Sequence, residues 1–120
     1  MSQHLKTGEK GEALARDFLL GQGYDILELN WRFSRAEVDI IAKDEATLVF
    51  IEVKTRSTAI FGDPAFAVTS KKQRLLADAA SAYMEQIGHT WEVRFDIISI
   101  VLNEEQYDLQ HFKDAFFSGW

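Results

Sequence analysis

Two stretches carry the reading of this chain: Glu37-Val38-Asp39-Ile40-Ile41, and Val49-Phe50-Ile51-Glu52-Val53-Lys54-Thr55-Arg56. Both are rich in β-branched residues, and between them Asp44-Glu45-Ala46 has the composition of a turn, so a hairpin is expected. Alternate residues of a strand share a face. Glu52 and Lys54 then point together, opposite Val49, Ile51 and Val53, and Glu37 and Asp39 point together, opposite Val38 and Ile40. If a four-residue loop, Asp44 to Thr47, joins Lys43 to Leu48 in register, opposing residue numbers sum to 91. That register sets Asp39 across from Glu52 and Glu37 across from Lys54, with Cβ atoms about 5 Å apart.

Two opposed carboxylates repel unless a cation lies between them. A hard divalent ion that takes oxygen ligands and keeps part of its water, Mg²⁺ or Mn²⁺, suits such a pair. It would activate water and neutralise charge building on a phosphodiester, with Lys54 positioning that water or steadying the phosphate. The bland reading is a solvated set of hairpin charges. Against it, Glu52 and Lys54 end the strongly apolar run Leu48-Val49-Phe50-Ile51, where solvated charge is less expected.

Outward from the hairpin, the order of elements is αβββαβ. Residues Thr7 to Leu20 are helical, with Leu14, Ala15, Phe18 and Leu19 on one apolar arc and Gly21 and Gly23 ending it. Glu12 falls at the edge of that arc. Strands are expected at Tyr24–Phe33, Glu37–Lys43, Thr47–Lys54 and Trp91–Leu102. A second helix runs from a Thr69 or Ser70 cap to Ile87, with Gly88 as its C-cap and Leu76, Ala79, Tyr83 and Ile87 as its buried stripe. The sole proline, Pro64, lies in the one long connection, Thr58 to Pro64. Phe112 to Trp120 has the pattern of a short apolar-faced tail. These elements together imply an α/β fold with a central mixed sheet flanked by helices.

The 120 residues fit one domain spanning 1–120, and 47% hydrophobic content supports a core. No apolar run is long enough to span a membrane and no signal-peptide segment begins the chain, so a cytoplasmic protein without a membrane partner is expected. The absence of cysteine excludes disulfides and thiolate zinc sites. A net charge of -6 opposes nucleic-acid binding as a global property. Locally, however, Lys54, Arg56, Lys71, Lys72 and Arg74 bunch together, with Arg32 and Arg35 upstream.

Gly11-Glu12, Glu37-x-Asp39, Phe50-x-Glu52-Val53-Lys54-Thr55-Arg56, a lysine on the second helix and Arg94-Phe95-Asp96 together resemble the YraN family. That bacterial group is similar in pattern to the archaeal Holliday-junction resolvases and the wider PD-(D/E)xK nucleases. The resemblance covers Gly11 through Asp96 and implies a restriction-endonuclease-like fold. It also implies Asp39 and Glu52 as metal ligands, Lys54 as the catalytic lysine and Glu12 as the acid completing the site. The expected activity is metal-dependent phosphodiester hydrolysis, most naturally on DNA. The alternative is a non-catalytic nucleic-acid-binding or repair-accessory protein of the same fold. Ala36 departs from the glycine expected before Glu37, which bears on a local turn.

Arg56, Lys72 and Arg74 are the candidate nucleic-acid contacts, each weighed against plain surface charge or, for Lys72, a snorkelling first-turn lysine. Glu37 is read either as supporting Lys54 or as a simple cross-strand ion pair. Asp96 is read as a structural partner of a neighbouring arginine. His4, His89 and His111 have no ligand spacing. Phe112, Phe116, Phe117 and Trp120 fit a docking helix face, or alternatively a homodimer interface.

Overall fold

The hairpin forms in the register that the apolar alternation imposes. In the computed structural model, which describes residues 3–57 and 69–116 with side chains from residue 7 onward, Ile40 pairs with Ile51, Ala42 with Val49 and Lys43 with Leu48. Pairing continues to Asp44 and Thr47, so the loop is the two residues Glu45 and Ala46 rather than four. Glu45 takes φ 55°, the left-handed conformation such a tight reversal demands. Trp91 Nε1 donates to the Ala46 carbonyl at 2.6 Å and pins the turn.

Helix α1 spans Gln3–Gly21, strands β1, β2 and β3 span Asp25–Phe33, Ala36–Asp44 and Thr47–Arg56, and helix α2 spans Ser70–Ile87. Strands β4 (Val93–Leu102) and β5 (Tyr107–Phe112) complete the chain order. The five strands lie in the order β1-β2-β3-β4-β5. β3 and β4 are parallel and the other three neighbours antiparallel, which makes the sheet mixed. A parallel step needs a crossover, and α2 lies between β3 and β4 in the chain to supply it.

Each helix covers its own face. Ala15 and Leu19 of α1 are buried with Ile40, Ala42, Val49, Ile51, Ile98 and Ile100. Leu76, Ala79, Ala80 and Tyr83 of α2 are buried with Val38, Ile41, Leu48, Phe50, Phe95 and Ile97. The alternation along β3 therefore feeds two cores, and each fully buried Ile, Leu or Phe side chain contributes about 1.5–3 kcal/mol.

The caps of α2 are as the sequence predicts. Thr69 Oγ1 accepts from the Lys72 N–H at 3.2 Å, and Gly88 closes the helix at φ 72°. Ile87 is not part of the buried stripe: it is 43% exposed, and Ala80 takes its place. The connection containing Pro64 lies outside the described residues, as do Phe117 and Trp120.

Strand β5 was not expected. The stretch from Glu104 to Asp114 looks acidic and polar, yet Leu109 and His111 turn toward the sheet from a solvated edge strand. The described part of the segment after β5, residues 113–116, forms no helix. The Ala115 N–H donates to the Phe95 carbonyl at 2.8 Å, and Phe116 packs on Phe95 with ring centroids 5.4 Å apart. Phe116 thus belongs to this chain's own core. No helix among the described residues is long and apolar enough to cross a membrane.

Candidate functional site

β2 and β3 part after the Ile40–Ile51 pair. β3 continues beside β4 to Arg56, and β2 beside β1 back to Ala36. At the fork the Val53 N–H meets a side chain instead of a ladder carbonyl, donating to Asp39 Oδ2 at 2.8 Å.

Strand alternation also fails here. Val38 is buried in the α2 layer and Ile40 in the α1 layer, although simple parity places them together. β1 is irregular at the same level: Asn30, between the pairs Leu29–Ile40 and Trp31–Val38, sits at φ 51°. Glu37 consequently turns away from β3. It does not face Lys54 but forms an ion pair with Arg32 of β1, at 2.9 Å.

Glu52 shares a strand face with Leu48 and Phe50, the face covered by α2. It is 6% exposed. Lys72, in the first turn of α2, donates from Nζ to Glu52 Oε1. Among the described residues the other oxygen, Oε2, is buried without a hydrogen-bond partner, a condition that folded proteins generally avoid.

Helix α1 brings the third acid. A Cβ at Gly11 would lie 2.7 Å from Thr55 Cβ and closer still to Thr55 Oγ1, so only glycine allows α1 this close to β3. Glu12, the next residue, thereby reaches the fork. With its amide nitrogen turned toward the acids, Asn30 donates to Glu12 Oε1 at 3.0 Å and to Glu37 Oε1 at 3.3 Å.

The electrostatics reflect this crowding. Burial pushes the Asp39 carboxyl up to about 7, the Glu52 charge adds to the rise and the Val53 N–H opposes it. Glu12 is also raised, chiefly by burial, with Asn30 opposing and Glu37 and Glu52 adding. Glu12, Asp39 and Glu52 therefore sense one another's charge.

Lys54 is half-buried on the same strand face as Glu52, level with Ser99 of β4. Arg56 ends β3. Lys71 and Arg74 are exposed in the first turns of α2, and the Lys72–Glu52 contact brings that end of the helix to β3.

Asp96 forms a separate network. Fully buried, it accepts from Arg94 Nε at 2.9 Å and Nη2 at 3.0 Å, from the Asp114 N–H at 2.9 Å, and lies 2.7 Å from His111 Nε2. Arg94 reaches on to Asp44 at 3.2 Å and to the Tyr24 hydroxyl at 2.7 Å. Burial alone would raise Asp96, but His111, Arg94 and Asp114 hold it below its ordinary value. The arginine partnership is as predicted. His111 was missed, because only the pairing of β5 with β4 brings it there.

Could the fork hold a cation? Its donors are hard oxygens, Glu52 Oε2 has no partner among the described residues, and burial, with the Glu52 charge adding, makes Asp39 reluctant to ionise. All three features suit a divalent ion. Among the described residues no three His, Asp or Glu groups close into one coordination set. An ion here would therefore rest on Asp39, Glu52 and its own water, the habit of Mg²⁺.

Fold and site together define a mixed α/β protein with an acid–lysine cluster where two central strands part. The chain matches the Uncharacterised protein family UPF0102 over residues 11–100 and belongs to that family, the YraN-like group its motifs resemble. It is 48% identical over 117 residues to a UPF0102 protein of Christiangramia forsetii, covering 98% of each chain. UPF0102 protein FP2501 of Flavobacterium psychrophilum is 44% identical, also with 98% of each chain covered. A UPF0102 protein of Alkaliphilus oremlandii is 43% identical, over 92% of this chain and 97% of its own.

Proposed function

We propose that this protein is a metal-dependent nuclease that hydrolyses phosphodiester bonds of DNA at the β2–β3 fork. The observation that carries the reading is the buried Glu52 with one oxygen unpartnered, beside an Asp39 whose carboxyl is pushed up to about 7. A cation beside Asp39 favours its charged form. Mg²⁺ or Mn²⁺ held by Asp39 and Glu52 would acidify a water and offset charge on the phosphate.

The chain's own groups do the rest. Lys54 orients the attacking water and hydrogen-bonds a phosphate oxygen. Glu12, with its carboxyl raised by burial, accepts the proton that water loses on attacking phosphorus, while the phosphorus–oxygen bond to the sugar breaks and the departing alkoxide takes a proton from solvent. Arg56 and Arg74 contact flanking phosphates, whose charge favours arginine.

Two variants test the scheme. Glu52→Gln removes charge at nearly constant shape, so the protein should fold while divalent-ion affinity and any cleavage fall together. Lys54→Ala should still bind the ion but lose cleavage, since lysine is not a ligand. Undetectable ion binding by the wild type at millimolar Mg²⁺ and Mn²⁺, with or without nucleic acid, would sink the reading. One observation favours the runner-up, a non-catalytic nucleic-acid-binding protein: Lys72 already neutralises part of the Glu52 charge. On that reading both variants lower the melting temperature and neither changes metal affinity.

A further inference from the structure

Lys72 stands where a lysine is ordinarily unwelcome. The first turn of a helix carries the positive end of the dipole, which favours acids and repels cations. The first turn of α2 has no acid at all and opens Ser70-Lys71-Lys72-Gln73-Arg74. What compensates Lys72 is Glu52, reached across the layer from helix to sheet.

The match is only half complete. An ionised carboxylate offers about four lone-pair sites, and Lys72 serves one oxygen while Oε2 stays buried with no partner among the described residues. Asp39, whose carboxyl accepts from the Val53 N–H, shares the fork. A single ammonium therefore occupies a site shaped for a charge that several oxygens could share.

The two partners also differ in freedom. The Glu52 side chain is 7% exposed and the Lys72 side chain 37%. Lys72 has a long flexible stem and water beside it, so it can withdraw at little cost. Glu52 cannot.

We propose that Lys72 is the resident counterion of this site, a tethered cation that holds Glu52 in the metal-free protein and is displaced when a divalent ion binds. The inference rests on the divalent-ion reading above and adds an exchange to it. Once released, the ammonium joins Lys71 and Arg74 at the exposed start of α2, where it faces phosphate. Ion binding then strengthens nucleic-acid binding and, by reciprocity, nucleic acid strengthens ion binding.

The exchange has a sign that a supporting role lacks. Lys72→Met keeps the stem and removes the charge. Without its competitor, Mn²⁺ should bind this variant more tightly than wild type by calorimetry at fixed pH, by roughly tenfold, about what a charge-assisted hydrogen bond is worth. The metal-free variant should melt lower than wild type, and saturating Mn²⁺ should close that gap. In ¹⁵N-lysine spectra of the wild type, Mg²⁺ should shift the Lys72 ammonium signal and speed its proton exchange. Lys72→Gln provides the same titration if the methionine variant folds poorly. Equal or weaker Mn²⁺ binding by the variants, or a Lys72 signal indifferent to Mg²⁺, overturns the exchange and leaves the metal site standing. Failure of wild type and variants alike to bind either ion overturns the metal site, and the exchange with it.

Discussion

Asp39 ties stability to pH in a direction opposite to that of most paired carboxylates. Its pKa rises from 3.8 to about 7 on folding, so between those values the folded chain holds a proton that the unfolded chain has released. Stability from this group is therefore full below pH 3.8, declines as pH rises toward about 7, and is level above that. Asp96 works the other way, because its lowered carboxyl weakens the fold only as pH falls below the ordinary carboxylate range. The melting temperature of the metal-free protein should accordingly decline between about pH 4 and 7, and Asp39→Asn should flatten that limb. A slope unchanged in the variant would remove Asp39 as its cause. At this scale Glu52 and Lys54 are legible in sequence because charges ending an apolar β run are conspicuous, and Asp39 because hairpin register carries it toward Glu52. Glu12 comes from motif resemblance, since helical periodicity places it merely at the edge of an arc. The Lys72–Glu52 bond is invisible to any local rule, the partners being twenty residues apart and on different elements.

Elements meet through contacts narrow enough to test singly. Gly11→Ala sets a methyl against both Thr55 Oγ1 and Thr55 Cβ, so no rotation of Thr55 relieves the clash. Forcing α1 from β3 should cost about 1–3 kcal/mol, and it should also lower any cleavage by withdrawing Glu12, the proposed proton acceptor, while divalent-ion affinity is kept. Gly8→Ala, with nothing within 4 Å of the added carbon, is the control and should be neutral or stabilising. On the same face of the sheet, nearer β5, Arg94→Ala strips the buried Asp96 of its bidentate partner. Breaking such a pair costs about 3–5 kcal/mol, and amide exchange should quicken first in β5, which the network holds through His111. Uniform quickening across the sheet would show that the network does not latch that strand. The hairpin, both helices and β4 are readable from sequence because apolar period, caps and turn residues agree on each. β5 is not, because an edge strand bordered by solvent needs few apolar residues, and its run is short, with an exposed Tyr107 and a histidine at an inward position. The fork escaped for a different reason: parity presumes a regular strand, and the chain reverses face between Val38 and Ile40.

Over the whole molecule, a net charge of -6 would repel a polyanion, so the proposed binding of nucleic acid requires a local basic surface. Lys54, Arg56, Lys71, Lys72 and Arg74 all lie where the end of β3 meets the start of α2. Binding to short DNA duplexes should therefore weaken steeply with salt. Arg56→Ala and Arg74→Ala should each reduce that slope by about one unit, whereas Lys113→Ala, beyond β5, should leave it unchanged. Salt-insensitive binding would assign the contact to some other surface. The far margin of the sheet raises a different matter. β1 is an edge strand that exposes Leu27, Leu29 and Phe33, the kind of border that recruits other chains. It is broken by a register shift between Ile26 and Glu28 and by the left-handed Asn30. Asn30 also holds Glu12 and Glu37 at the fork. One side chain thus keeps the acids in place while its backbone spoils the border as a template. A substitution that lets residue 30 extend would be selected against twice, for a disordered site and for a protein that precipitates, and no second change at the fork alone would make it tolerable.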